Sequence, residues 1–205
     1  MRRARFLLSI AATALAFFNS TQVLAEQETI VAIRHGEKPA AGLGQLSCKG
    51  LNRALALPKI LIGKYGKANL IFAPDPSEKV SDLKTKYSYV RPVLTIGPTA
   101  IQLGLPVNAE IGYSHVSTLL DELTKKENEN AVIFVVWEHF ELNELAKKLL
   151  KKYDGDPSAV PDWPYDDFDR IYVFKITKND GKPEIEFHVD HENLNDSLSN
   201  TCPGQ

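Results

Sequence analysis

The sequence predicts an α/β fold, and three observations lead there. Short runs of apolar and β-branched residues, TIVAIR at Thr29 to Arg34 and AVIFVV at Ala131 to Val136, alternate with stretches whose apolar residues recur at helical spacing. The AVIFVV run is too apolar for a strand with one wet face, which places it at the buried centre of a sheet covered on both sides. With 43% hydrophobic and 24% charged residues in 205, and only 12 Gly and 12 Pro, the composition is that of an ordinary globular chain rather than a disordered or fibrous one.

Taken in order, the first 25 residues read as a cleaved secretory signal. Arg2, Arg3 and Arg5 make a basic end, Phe6 to Phe18 is mostly apolar, and Val23-Leu24-Ala25 ends on a small residue. The alternative, a membrane anchor, needs ~20 apolar residues, and this run is only about a dozen long and broken by Ser9. Residues 26–205 are then expected to form a single domain without a membrane-spanning segment. Thr29 to Arg34 is the first strand, and Ser47 is a plausible N-cap for a helix carrying Leu51, Leu55, Leu57 and Leu61 towards Gly66. Pro58 predicts a kink or an early break in that helix. Leu70 to Ala73 is a second strand, Pro98 to Leu103 can start and carry a helix, and Ala131 to Val136 is the central strand. Leu142, Leu145, Ala146, Leu149, Leu150 and Tyr153 mark a helix packed on the sheet. Arg170 to Ile176 and Glu184 to Val189 flank Asn179-Asp180-Gly181, a hairpin turn sequence. Between them, Asp154 to Asp169 is the one long irregular stretch, readable as a surface lid or as a structural connection.

Charge and cysteine content narrow the function. The leader holds three of the 24 basic residues and no acidic one, so a mature chain would carry 21 basic against 26 acidic residues. That balance argues against nucleic acid or an anionic membrane as the main partner. Cys48 and Cys202, the only cysteines, would reach an oxidising compartment, periplasmic or extracellular, where they can bridge; the alternative is two free thiols. Neither sits in a CxxC or beside a His at ligand spacing, which counts against a zinc or redox site.

The sharpest local signal is Arg34-His35-Gly36-Glu37-Lys38, at the end of the first strand, where an open α/β sheet presents its ligand crevice. An arginine offers a forked, permanent charge for a phosphate, the adjacent histidine a nitrogen nucleophile, and Gly36 removes a side chain that would crowd the site. Alone the triplet is weak. Trp137-Glu138-His139 closes the central strand, however, so a second histidine should emerge on the same edge, and with Arg34 and Arg91 it would make a pocket suited to a phosphoryl group.

The strings RHGEKP, SCKGLNRALALP, IFAPDPSEK, YVRPVLTIGPTA with LGLPVN, IFVVWEH and DFDRIYVF together resemble the histidine phosphatase superfamily, also called phosphoglycerate-mutase-like, and within it the small exported bacterial members. The resemblance covers Ile30 to Ile176. It implies a three-layer sandwich with a mostly parallel central sheet between helices. It also implies that His35 is the nucleophile that becomes transiently phosphorylated, that Arg34 and Arg91 bind phosphate, and that His139 is the second pocket histidine, with no metal and no cofactor. The proton donor is where the match departs from the family: Phe140 follows His139 where acid-phosphatase-like members carry an Asp. Glu37, Glu138 and Glu110 then compete for that role, each also readable as an ordinary ion-paired carboxylate.

Other polar residues invite plainer readings. His115 is expected in a surface loop, the Gly42 to Gly44 segment as a flexible connection lacking the Lys-Ser/Thr pair of a P-loop, and Lys38 and Lys79 at the substrate entrance or simply exposed. His188, Asp190 and His191 have ligand chemistry but alternate across a strand, against a metal site. The leading expectation is an exported, metal-independent phosphatase acting on a small phosphorylated substrate. The alternatives are a non-catalytic phosphate- or phosphosugar-binding protein with the same pocket, and a structural envelope protein. The sequence does not set the oligomeric state.

Overall fold

The computed structural model describes residues 26–178 and 183–204; the expected leader and the Asn179-Asp180-Gly181 turn lie outside them. In chain order the elements are β1 (Glu26–Arg34), α1 (Cys48–Tyr65), β2 (Leu70–Pro74), β3 (Lys79–Asp82), β4 (Thr85–Ser88), α2 (Arg91–Leu103), β5 (Asn108–Ile111), α3 (Val116–Leu123), β6 (Val132–Trp137), α4 (His139–Lys152), β7 (Arg170–Lys178) and β8 (Glu184–His191).

Among the described residues six strands form one sheet in the order β5-β2-β6-β1-β7-β8. The pairs among β5, β2, β6 and β1 are parallel, whereas β1 with β7 and β7 with β8 run antiparallel. The strand alternation sorts side chains to two faces. Ile30, Ala32, Ile133 and Val135 pack under Val116 and Leu119 of α3 and Leu142, Leu145 and Leu149 of α4. Val31, Ile33, Phe134 and Val136 pack under Leu57 and Leu61 of α1 and Ile96 and Ala100 of α2. The result is a three-layer sandwich with a mostly parallel sheet. β6 has β1 on one side and β2 on the other, the central position its composition predicts.

Four features depart from the sequence reading. α1 runs unbroken through Pro58 to Tyr65, because Pro58 shares a buried face with Ala54, Leu57 and Leu61 whose packing outweighs one lost hydrogen bond. α2 begins at Arg91 rather than near Pro98, with Pro92 in its first turn, where a missing N–H costs nothing. A small antiparallel hairpin, β3 with β4, appears where no strand was expected; its tip, Leu83-Lys84, takes positive φ at both residues without a glycine. β5 and α3 were likewise not anticipated. Ser47 caps α1 as its sequence suggests, accepting from the Gly50 N–H at 3.1 Å. Cys48 and Cys202 are bridged. Among the described residues no helix is long and apolar enough to cross a membrane.

Candidate active site

The parallel register sets Arg34 beside Trp137, so both chains leave the sheet at the same edge. The His35 N–H still continues the ladder, donating to the Trp137 carbonyl at 3.0 Å. β6 has ended by Glu138, and His139 is the first residue of α4. Arg91 is the first residue of α2. Two helix N-termini, each partially positive, thus converge with two strand ends on one spot. Arg34, His35, Arg91 and His139 are all buried there, each 5% exposed or less.

Each side chain is fixed by one part and left unpartnered at another. Arg34 donates from Nη1 to the carbonyls of Tyr165 (2.6 Å) and Asp167 (3.1 Å), and its guanidinium lies 3.9 Å from the centre of the Phe168 ring. Its Nε has no hydrogen-bond partner. Arg91 donates from Nη1 to Asp82, and its Nε is likewise unpartnered. Both arginines therefore keep a buried Nε without a protein partner, a donor free for an oxyanion.

His35 Nδ1 sits 2.8 Å from the Gly36 carbonyl, which can only accept, so Nδ1 carries the hydrogen and Nε2 keeps its lone pair. Burial, reinforced by the charge of Arg91, pushes the pKa of His35 well below the ordinary histidine value and keeps the ring neutral. On His139, Nδ1 lies against Glu138 Oε1 in an ion-pair contact without hydrogen-bond alignment, and Nε2 is buried with no partner.

Further hydrogen bonds hold this geometry. Thr95, one turn after Arg91, donates to the Arg91 carbonyl (2.8 Å) and accepts from the Gly36 N–H (2.9 Å), so one hydroxyl ties the loop after His35 to the start of α2. A Cβ on Gly36 would meet the Gly50 backbone of α1 at 3.0 Å, so the helix itself crowds this position. Gly42 to Gly44 is a fixed turn rather than a flexible connection. Gly44 donates to Asp82 Oδ2 at 3.0 Å, and its carbonyl accepts from the N–H groups of Val90 and Arg91 at 3.2 Å each.

No protein-family model matches the sequence, and no curated protein matches it. Solved structures do. The chain is similar to a protein assigned as the phosphohistidine phosphatase SixA of Nakamurella multipartitia, at 17% identity and a TM-score of 0.53 over 80% of this chain and 96% of the other. It is similar to mycobacterial hydrolase 1, at 14% and 0.54 over 78% and 97%. It is also similar to a mycobacterial glucosyl-3-phosphoglycerate phosphatase, at 13% and 0.50 over 79% and 97%. The fold is the one these solved structures share.

Within this fold, the three carboxylates considered as proton donors go to different places. Both Glu37 oxygens accept from Arg53, at 2.8 and 3.0 Å, with Lys49 at 3.7 Å. Burial alone would raise its pKa, but the bonds from Arg53 prevail and hold it below the usual carboxylate range. Glu138 Oε2 caps α4, accepting from the Phe140 N–H (2.7 Å) and the Glu141 N–H (3.3 Å). Burial again opposes ionisation there, yet the contacts with His139 and the helix N–H groups lower its pKa. Glu110 lies on the edge strand β5, two strand spacings or about 10 Å from β6, and lines a separate groove with Phe72, Asn108 and Lys125.

Arg53, which sequence reasoning missed, is fully buried and joins Glu37, Asp169, Glu192 and Asn195, tying the loop after His35 to the end of the chain. Its signal was available: it falls at helical spacing with Leu57 and Leu61, a charge on the apolar stripe. The Asp154 to Asp169 stretch proves to be both connection and pocket wall. Trp163 anchors it in the core, edge-on to Tyr172 at 4.6 Å, while Tyr165 and Phe168 cover Arg34. Lys38 stands at the pocket edge, 3.6 Å from Asp82, whereas Lys79 only bonds Ser88 across the small hairpin. Asp190 is taken by Lys64 and Tyr65, and His115 is exposed at the start of α3. Among the described residues no group of three or more His, Cys, Asp or Glu is placed to hold a metal ion.

Proposed function

We propose that this chain is an exported phosphomonoester hydrolase that works through a phosphohistidine intermediate on His35. The observation that carries the reading is the convergence of unpartnered nitrogens, Arg34 Nε, Arg91 Nε and His139 Nε2, around a neutral imidazole. Burying such groups without partners costs roughly 1–3 kcal/mol each, more for charged ones, a cost that a bound phosphoryl group would offset.

In this reading the phosphoryl oxygens lie between the two guanidinium groups and His139. His35 Nε2 attacks phosphorus as the bond to the leaving oxygen breaks, and that oxygen takes a proton. Arg34 and Arg91 stabilise the charge as it redistributes over the phosphoryl oxygens. Water then attacks the phosphohistidine, the P–N bond breaks, and phosphate leaves. Glu138 acts as the group that orients His139, and Glu37 as a strut for the loop. The cationic donor set calls for no metal. Export rests on the leader sequence and is supported by the Cys48–Cys202 bridge, as is a periplasmic or secreted location.

With Glu37 and Glu138 engaged and Glu110 on a separate groove, one competing reading is favoured, a phosphate- or phosphosugar-binding protein with the same pocket and no turnover. Hydrolysis of 4-nitrophenyl phosphate, whose leaving group needs no acid, separates the two. The purified protein in EDTA should turn it over, and His35→Ala should lose several orders of magnitude in rate while retaining its fold. Binding of inorganic phosphate without hydrolysis would establish the competing reading, and activity dependent on an added divalent ion would overturn the metal-free one.

A further inference from the structure

The pocket lacks an obvious acid, yet it contains a hydroxyl that the mechanism above does not use. Tyr89 stands two residues before Arg91 and is 1% exposed. Its ring meets His35 edge-on at 6.0 Å between centroids and Tyr113 at 5.6 Å, and the Arg91 guanidinium lies 5.0 Å from its centre. Its hydroxyl is within electrostatic reach of Arg91, Glu138, Arg34 and Asp82, which sets it among the groups lining the phosphoryl pocket. That hydroxyl is buried and has no hydrogen-bond partner. A buried phenol normally finds one. Here the ring that carries the hydroxyl stands against His35 and the Arg91 guanidinium, whose Nε is likewise unpartnered, so a phosphoryl group bound by them would bring a partner towards it.

We propose that Tyr89 is the proton donor to the leaving-group oxygen. The inference rests on the phosphatase reading. As the His35 Nε2–P bond forms and the P–O bond breaks, the departing oxygen takes the phenolic proton. The phenolate that remains is stabilised by the charges of Arg91 and Arg34, both of which act on this hydroxyl. In the second half-reaction the attacking water gives its proton to that phenolate, its oxygen ends on phosphate, and the P–N bond breaks. Nothing else is consumed. Burial raises the pKa of Tyr89, so the hydroxyl holds its proton at neutral pH until an oxygen more basic than a phenolate appears. An alkoxide is such an oxygen; 4-nitrophenolate is not.

The test follows from that difference. For Tyr89→Phe and wild type, kcat/KM, which reports steps through phosphoryl transfer to His35, is compared on 4-nitrophenyl phosphate and on an alkyl phosphate such as glycerol phosphate. A general acid contributes about 10²–10⁴-fold, so the variant should lose that much on the alkyl ester and only a few-fold on the nitrophenyl ester. Its Tm should stay level or rise, since the hydroxyl has no partner to lose. Equal losses on both esters, or no loss on the alkyl ester, would overturn the role. Wild-type protein that hydrolyses neither ester would instead overturn the phosphatase reading, and Tyr89's role with it.

Discussion

At the scale of single residues, the account turns on the protonation of His35. Its pKa is displaced downwards, chiefly by burial and then by Arg91, so the neutral ring persists as pH falls through the range where a free histidine takes up its proton. The same displacement means that protonating His35 opposes folding, and its contribution to stability is lost only below the ordinary histidine pKa. In ¹⁵N NMR of labelled protein, the His35 ring should keep the signals of a neutral Nδ1–H tautomer at pH 6.5. A midpoint at or above that pH would contradict the arrangement. Much of this level was legible from sequence: the two histidines and two arginines were named because strand ends and an Arg-His pair carry an interpretable chemistry. Tyr89 and Arg53 were not: an aromatic before a helix is ordinarily only a core residue, and the place of Arg53 on the apolar stripe of α1 went unread. The fold sets Tyr89 against His35 and Arg53 among three carboxylates. Glu37 and Glu138 show the converse, since adjacency in sequence to a histidine says nothing about which partner takes the carboxylate.

At the scale of elements, the site depends on how closely α1 approaches the loop after β1. A Cβ on Gly50 would stand 2.3 Å from the Glu37 carbonyl oxygen, a backbone atom that cannot swing away, whereas one on Gly63 of the same helix would meet nothing within 4 Å. Replacing a helical glycine with alanine gains about 1 kcal/mol in an open position. Overpacking against backbone costs roughly 1–3 kcal/mol or more, and a 2.3 Å approach belongs at the upper end. Gly63→Ala should therefore raise Tm and Gly50→Ala should lower it, with activity falling alongside as the His35 loop is displaced. Thermal melts showing both variants shifting the same way would refute this packing argument. The elements that were readable, β1, α1, β6 and α4, have strong periodicity or a clear cap. α2 was placed too late because Pro98 reads as a helix start and its buried polar residues, Arg91, Thr95 and Thr99, obscure the apolar face before it. The β3–β4 hairpin was invisible for a related reason: its strands are largely polar and its tip is Leu83-Lys84 instead of a glycine-bearing turn.

At the scale of the whole molecule, one sheet edge collects groups from distant parts of the chain, and two long-range ties hold them there. Arg53 joins the His35 loop to Asp169 and Glu192, and the Cys48–Cys202 bridge closes 154 residues, about 5 kcal/mol on the chain-entropy estimate. Both ties meet α1, whose first turn packs on the loop carrying Gly36 and Glu37. The layer order was predictable because it follows from apolar patterning, and the bridge because only two cysteines exist. Which side chains fill the pocket wall depends on the irregular Tyr165 to Phe168 segment, which has no period to read. The central claim, that this edge performs phosphoryl transfer through His35, is tested most directly by catching the intermediate. A phosphoramidate survives base and hydrolyses in acid, so the protein is mixed with ³²P-labelled aryl phosphate, quenched in alkali during turnover, digested and sequenced. The account predicts label on the peptide containing His35, and none in His35→Ala. Label on a serine or aspartate, or turnover at near-wild-type rate in His35→Ala, would contradict it.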